Sequence, residues 1–201
     1  MYKKESFREL DQKYNSHLYT GLLGILMNYC HRKLEKFKKK ESYDKVLEIG
    51  AGSAPHLDYL THSFNEYHIV ETSDYASTFL KESSSKKIFF KKYDGIKLPY
   101  EDEFFDRIII SHCLEHILSP EEFIFEMMRK LKKGGVLSIA LPTDPGIAWR
   151  LGRLFIRLFS IKKTYNISGE EYEYINATEH VNSIFNLISL IRYNFKGKID
   201  E

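Results

Sequence analysis

Short apolar runs and longer amphipathic stretches alternate along the chain. Val46, Leu47 and Ile49 form a brief β-forming run that breaks at Gly50–Ala51–Gly52, after which Leu57, Leu60 and Phe64 recur at helical spacing. That order predicts a strand, a tight turn and a helix. Further runs at Tyr67–Glu71, Lys87–Phe90, Arg107–Ser111 and Val136–Leu141 read as strands. The Arg107–Ser111 run is apolar without alternation, as in a central parallel strand covered on both faces. Helical patterns lie between these runs. Ala76, Phe79 and Leu80 follow a capping Asp74, and Pro120 opens a helix carrying Phe123, Ile124, Met127, Met128 and Leu131 that Lys132–Lys133–Gly134–Gly135 should close. Ahead of the first strand, apolar positions from Leu18 to Phe37 describe an amphipathic helix ending in the basic run Lys36–Lys40, where cations suit the negative end of the helix dipole. The expected fold is therefore α/β, a Rossmann-like doubly wound sheet, mostly parallel, with helices on both faces.

After the fifth run the pattern changes. Ile147, Leu151, Leu154, Leu158 and Ile161 form one stripe of a basic amphipathic segment, and Arg150, Arg153 and Arg157 form another. This segment reads either as a helix capping the substrate side or as one lying on an anionic membrane surface. Residues 162–178 are polar and Tyr-rich, and Glu179–His180–Val181 is expected to open a last helix through Ile184 to Ile191. The chain thus divides into a helical cap (1–43), a ligand-binding core (44–142), an insertion (143–178) and a C-terminal helix with the start of a strand (179–201).

Composition narrows the functional classes. A formal charge of +2 gives no argument for a nucleic-acid partner. Cys30 and Cys113 sit in apolar surroundings as free thiols, and no zinc-type Cys/His spacing occurs. The first ten residues are charged, and no apolar run reaches the ~18 residues of a membrane span. The expectation is a soluble, cytoplasmic protein.

The chemistry concentrates at the strand ends. Gly50 and Gly52 let the backbone approach a ligand at the carboxyl end of the first strand. Glu48, at the end of an otherwise buried strand, needs a cationic ligand or N–H donors. Glu71 closes the second strand about 20 residues later, the distance at which an acid takes the ribose hydroxyls of an adenosine ligand in doubly wound folds.

The glycine turn resembles motif I of the class I S-adenosylmethionine-dependent methyltransferases, E/D-x-G-x-G-x-G, with Glu48, Gly50 and Gly52 matching and Ala54 in place of the last glycine. The nicotinamide fingerprint G-x-G-x-x-G fits less well, because its third glycine falls on Pro55. Glu71–Thr72–Ser73 resembles the family's acid-x-Ser segment. Tyr93 to Tyr100 followed by Phe104–Phe105–Asp106 is similar to its G-D-A-x-x-L-P-F…F-D pattern, with Tyr93 for the usual glycine. Ser111–His112–Cys113–Leu114–Glu115–His116 resembles the S-x-V-L-E-H segment of small-molecule members. The resemblance spans residues 44–142.

It implies S-adenosylmethionine as cofactor, held by Glu48, Gly50, Ala51, Gly52, Glu71, Thr72, Asp94, Gly95, Ser111 and His112. Glu71 would take the ribose, Asp94 the adenine amine, the Gly95 N–H a ring nitrogen, and Ser111 and His112 the methionine portion. By the same resemblance Tyr14–Tyr19 form a lid, and His180 borders the acceptor pocket. His180, His112 and His116 are the candidate proton acceptors. Glu115 and His116 stand where some O-methyltransferases carry metal ligands, but two neighbouring ligands do not make a site, and no metal is expected. The family sheet ends with two further strands for which only residues 195–201 remain. Either the chain is a truncated form or the open edge of the fifth strand is covered, for instance by a second copy. The implied function is methyl transfer to a small-molecule, lipid-type or sugar-type acceptor. A non-catalytic module of the same fold is the alternative, and Pro55 and Glu48 disfavour a dehydrogenase.

Overall fold

The computed structural model describes residues 21–73, 87–155, 157, 168–196 and 198–200. Five parallel strands form one sheet: β1 (Ser42–Ile49), β2 (Ser63–Glu71), β3 (Ile88–Lys92), β4 (Phe105–Ser111) and β5 (Leu131–Ala140), in the order β3-β2-β1-β4-β5. The order reverses between β1 and β4, so the carboxyl ends of those strands flank the crevice where ligands bind in open α/β sheets. Helix α1 (Gly21–Lys36) covers one face. On the other lie α2 (Pro120–Lys130) and α5 (Ile184–Asn194), and α3 (Ile147–Phe155) and α4 (Gly169–Glu179) come between β5 and α5 in the chain.

Alternation along the strands sorts the two faces. Leu47, Ile49, Val70, Ile108 and Ile110 pack with Phe123, Ile124, Met127 and Leu187 on the α2/α5 side. Val46, Tyr67, Ile69 and Ile109 face Leu34 of α1. Glu48 and Arg107 alternate onto this second face, and both are buried.

Several expected elements take another form. The glycine turn leads into a single 3-10 turn, Pro55–Tyr59, in place of a helix, and Phe64 belongs to β2. The crossover has only the thirteen residues 50–62, close to the dozen or so a parallel connection needs. α1 packs against this turn and β5. Lys132 to Gly135 lie within β5, because α2 passes straight into the strand at Leu131 with no glycine stop. The polar segment before His180 holds α4, started by a capping box in which Ser168 Oγ accepts from Glu171 N at 3.1 Å and the Glu171 carboxylate accepts from Ser168 N at 2.8 Å. His180 ends α4, and α5 begins after a new cap at Ser183.

The described residues after 194 form no strand, and β5 pairs only with β4 among the described residues. The predicted lid at Tyr14–Tyr19 and the Asp74 helix lie outside the described residues. No described helix is long and apolar enough to cross a membrane. α3 does leave Ile147, Leu151, Leu154 and Phe155 exposed along one stripe.

Candidate functional site

The glycine loop closes the ends of β1 and β4 on each other. A Cβ on Gly50, whose φ is +66°, would stand 2.5 Å from Cys113 Sγ, so only glycine permits this approach. Gly52 also has positive φ, but a Cβ there would meet no atom of the described residues within 4 Å, so its side is open among them. Glu71 bridges the ends of β1 and β2. Its Oε2 accepts from Gly52 N at 3.1 Å and its Oε1 from Thr72 N at 2.7 Å. A Cβ on Gly95 would lie 3.3 Å from Thr72 Cγ2, which brings the loop after β3 alongside. Gly50, Gly52, Glu71, Thr72 and Gly95 are thus assembled at the carboxyl ends of three neighbouring strands, with the buried Ala51 inside the turn.

The other predicted cofactor residues are placed differently. Asp94 is exposed and uses Oδ1 to accept from Ile96 N at 2.8 Å and Lys97 N at 2.9 Å; these bonds hold its carboxyl below the usual range. Its second oxygen is not used by that turn. Glu48 does not join the loop: it points into the α1 face and accepts from the Tyr67 hydroxyl at 2.8 Å, with its pKa raised by burial and further by the charge of Glu71. Ser111 Oγ and His112 Nε2 are buried without a partner. His112 is left-handed, φ +50°, with its N–H fixed to Ala140 O at 3.0 Å. Such backbone conformations cost about 1–3 kcal/mol and cluster at functional sites. Burial, then His116 and His180, push its imidazole down to about 4, so it is neutral at neutral pH.

Directly after β4 a 3-10 turn, Leu114–His116, turns Glu115 inward. Glu115 is 2% exposed, its Oε2 has no hydrogen-bond partner, and burial raises its pKa. His116 Nε2 lies 3.7 Å from Glu115 Oε1, while its Nδ1 lies 2.8 Å from Glu179 O. The loop after α4 is tied to this turn. Val181 N and Asn182 N both donate to Glu115 O at 3.1 Å, and Asn182 Nδ2 donates to Ile117 O at 2.6 Å. His180 is thereby carried to within 4.9 Å, ring to ring, of His116, with Asp144 Oδ2 3.0 Å from its Nδ1 and Trp149 on a ring face. Burial and His116 lower the His180 pKa, against the pull of Asp144. The three predicted proton acceptors therefore share one neighbourhood, His112 included through its interaction with the other two.

A second polar cluster under α1 was not predicted. Glu35 is 3% exposed and receives Arg107 at 2.6 Å, His56 at 3.1 Å and Thr61 N at 2.9 Å. Arg107 also donates to Ser138 Oγ and Leu34 O. His31 Nδ1 and His56 Nδ1 lie 3.0 Å apart. One tautomer assignment satisfies both contacts: His31 Nδ1 donates to His56 Nδ1, and His56 Nε2 donates to Glu35. The sequence held two clues: His31 and Glu35 stand one turn apart on the buried side of α1, and an arginine interrupts an apolar strand.

A family model described as a methyltransferase domain matches residues 47–139. The demethylmenaquinone methyltransferase of Corynebacterium urealyticum is 30% identical over 136 residues, covering 66% of this chain and 58% of that protein. The chain spans little more than half the length of this relative. Among solved structures, an S-adenosylmethionine-dependent methyltransferase of Thermotoga maritima aligns with a TM-score of 0.62 at 20% identity, over 95% of this chain and 79% of that one. The [4+2]-cyclase SpnF aligns with a TM-score of 0.59 at 17% identity, over 84% of this chain and 56% of that one. At these identities the structural likeness establishes the fold.

Proposed function

Because the chain belongs to the class I S-adenosylmethionine-dependent methyltransferases, we propose that it transfers the methyl group of S-adenosylmethionine to a small molecule bearing an acidic hydroxyl, of the quinol or phenol type. One observation carries the reading. Gly50, Gly52, Glu71, Thr72 and Gly95 converge at the carboxyl ends of β1 to β3, with the side of Gly52 open among the described residues. The residues fit the cofactor. Ser111 Oγ and His112 Nε2 are buried groups that a polar ligand would satisfy, and Glu71 retains acceptor capacity beyond the N–H groups it already holds.

When bound, S-adenosylmethionine supplies an electrophilic sulfonium methyl carbon. The chain's own part is then alignment and exclusion of water. Glu71 would orient the ribose end, the Gly50–Gly52 backbone the middle, and Gly95 with Asp94 the base. Glu48, spent on Tyr67, supports the loop from beneath. An acceptor hydroxyl must also lose its proton. The Glu115 carboxylate and the His112, His116 and His180 imidazoles would favour that loss. The relative's name, a demethylmenaquinone methyltransferase, supports a quinone-type ring as acceptor.

Calorimetry with S-adenosylmethionine tests the reading first. One saturable site is expected, weakened at least tenfold in Glu71→Ala; absence of binding overturns it. Transfer of labelled methyl to a panel of quinols and phenols tests the acceptor. Normal cofactor affinity with no product from any of them would favour the non-catalytic module.

A further inference from the structure

Glu115, His116 and His180 stand together beside the 3-10 turn after β4. Each offers one ligating atom, and the three lie within 4.8 Å of one another. The carbonyl of Glu179 fixes the His116 proton on Nδ1, which turns the Nε2 lone pair toward the Glu115 carboxylate 3.7 Å away. Asp144 Oδ2 lies 3.0 Å from His180 Nδ1, a contact of charge without hydrogen-bond geometry. Lone pairs facing a carboxylate repel unless a positive charge lies between them. A single proton could bridge only one pair, whereas a cation answers all three groups and also the buried Glu115 Oε2, which has no partner.

The geometry points to a divalent-cation site formed by Glu115, His116 and His180, with Asp144 and the Glu179 carbonyl orienting the imidazoles. Two imidazoles and one carboxylate suit a borderline first-row ion such as Zn²⁺ or Co²⁺ and leave coordination positions open. Acceptors on the outer nitrogens are the usual supports of metal-bound histidines. The sequence marked Glu115 and His116 as a pair but not the third member, because His180 lies 64 residues beyond His116 and is held to the 3-10 turn by the Val181 and Asn182 bonds. Resting on the methyltransferase reading, the site has a use. It adjoins the end of β4, next to Gly50, where a cation would acidify an acceptor hydroxyl and hold its oxygen. The hydroxyl proton leaves to water, the oxygen–carbon bond forms as the sulfur–carbon bond breaks, and sulfur keeps that electron pair.

The test uses the full chain with Co²⁺ or Zn²⁺ alone, read by calorimetry and by the visible absorption of bound Co²⁺. One equivalent should bind. Glu115→Gln, which keeps the side chain's shape, and His180→Ala should each weaken binding at least tenfold, and Asp144→Asn should weaken it less, with melting curves confirming that each variant is folded. No saturable binding, or binding that survives both ligand substitutions, overturns the proposal. S-adenosylmethionine affinity, measured on the same chain without metal, reports separately on the methyltransferase reading. Cation binding without cofactor binding would defeat that reading and leave this site standing.

Discussion

The molecule builds two clusters from the same residue types and finishes only one. Beneath α1, Glu35 meets an arginine, a histidine and a backbone N–H, and the arginine has two further acceptors. After β4, Glu115 is as deeply buried, yet one oxygen is without a partner and the neighbouring imidazole nitrogen, at 3.7 Å, belongs to a histidine whose Nδ1 proton is on its far side. The first is a closed polar knot that fastens a helix to a sheet. The second is an incomplete coordination shell. Burial and residue type do not separate structure from function here; the balance of donors and acceptors does.

The largest effect should come from opening the knot. Arg107→Met removes the cation from a fully buried ion pair and strands Glu35, a change that costs about 3–5 kcal/mol. The midpoint of thermal unfolding should fall by roughly 10 °C for a domain of this size. Glu115→Gln should move stability by no more than about 1 kcal/mol, because it removes a buried charge that lacks a compensating cation. If the two variants melt alike, the contrast between a finished and an unfinished cluster is lost.

Acid should act on the knot next. Burial, then His56 and His112, push the His31 imidazole down to about 3 from an ordinary value of 6.5. Between those values the unfolded chain binds a proton that the folded chain refuses, so stability rises with pH across that window and falls as pH drops from about 6.5 toward 3. Glu35 works in the same direction at lower pH. Its bonds to His56 and Thr61 and the Arg107 charge outweigh burial and hold its carboxyl below the usual range, so its contribution is lost as pH falls below the unfolded value. A series of melts from pH 7 to 4 should show a decline that is shallower in His31→Leu. An equal slope in the variant would remove His31 from the account.

The strand-end site is sharpened by Gly52→Ala. The substitution places a methyl group within 4 Å of no described atom but forces a left-handed alanine, at a cost of about 1–2 kcal/mol. The same methyl would stand where ligand backbone approach is read, so affinity for S-adenosylmethionine should drop by at least tenfold. Loss of stability without loss of affinity would place the cofactor elsewhere.

How much of this was legible in the sequence follows from the range of the forces involved. The five strands and a mostly parallel sheet showed in short apolar runs, most clearly in β4, where a strand buried on both faces leaves no alternation. The glycine loop, Glu71 and Gly95 were legible because backbone geometry imposes residue type locally. The helix expected over Leu57–Phe64 failed because periodicity cannot report that α1 packs beside so short a crossover. Glu48 was misplaced toward the loop because its partner, the Tyr67 hydroxyl, comes from the neighbouring strand, 19 residues on. Arg107 and Glu35 stand 72 residues apart, so the local clue in each segment does not say that the two meet.

The smallest expected effect concerns the residue between the glycine loop and the knot. Ala54 stands where motif I carries its last glycine, and it adopts φ +57° and ψ +42°, a left-handed conformation that disfavours a side chain. It also sends the chain through Pro55 to His56, so the strain is held between the open loop and the closed knot. Ala54→Gly relieves that strain but gives up a buried methyl group and adds backbone freedom to the unfolded chain. The balance should be a gain of about 0.5 kcal/mol, or roughly 1–2 °C in melting. If the knot dictates the turn, the gain should vanish in the Arg107→Met background, where His56 no longer holds Glu35 against a cation. An undiminished gain there would mean that the glycine loop alone sets the conformation at Ala54.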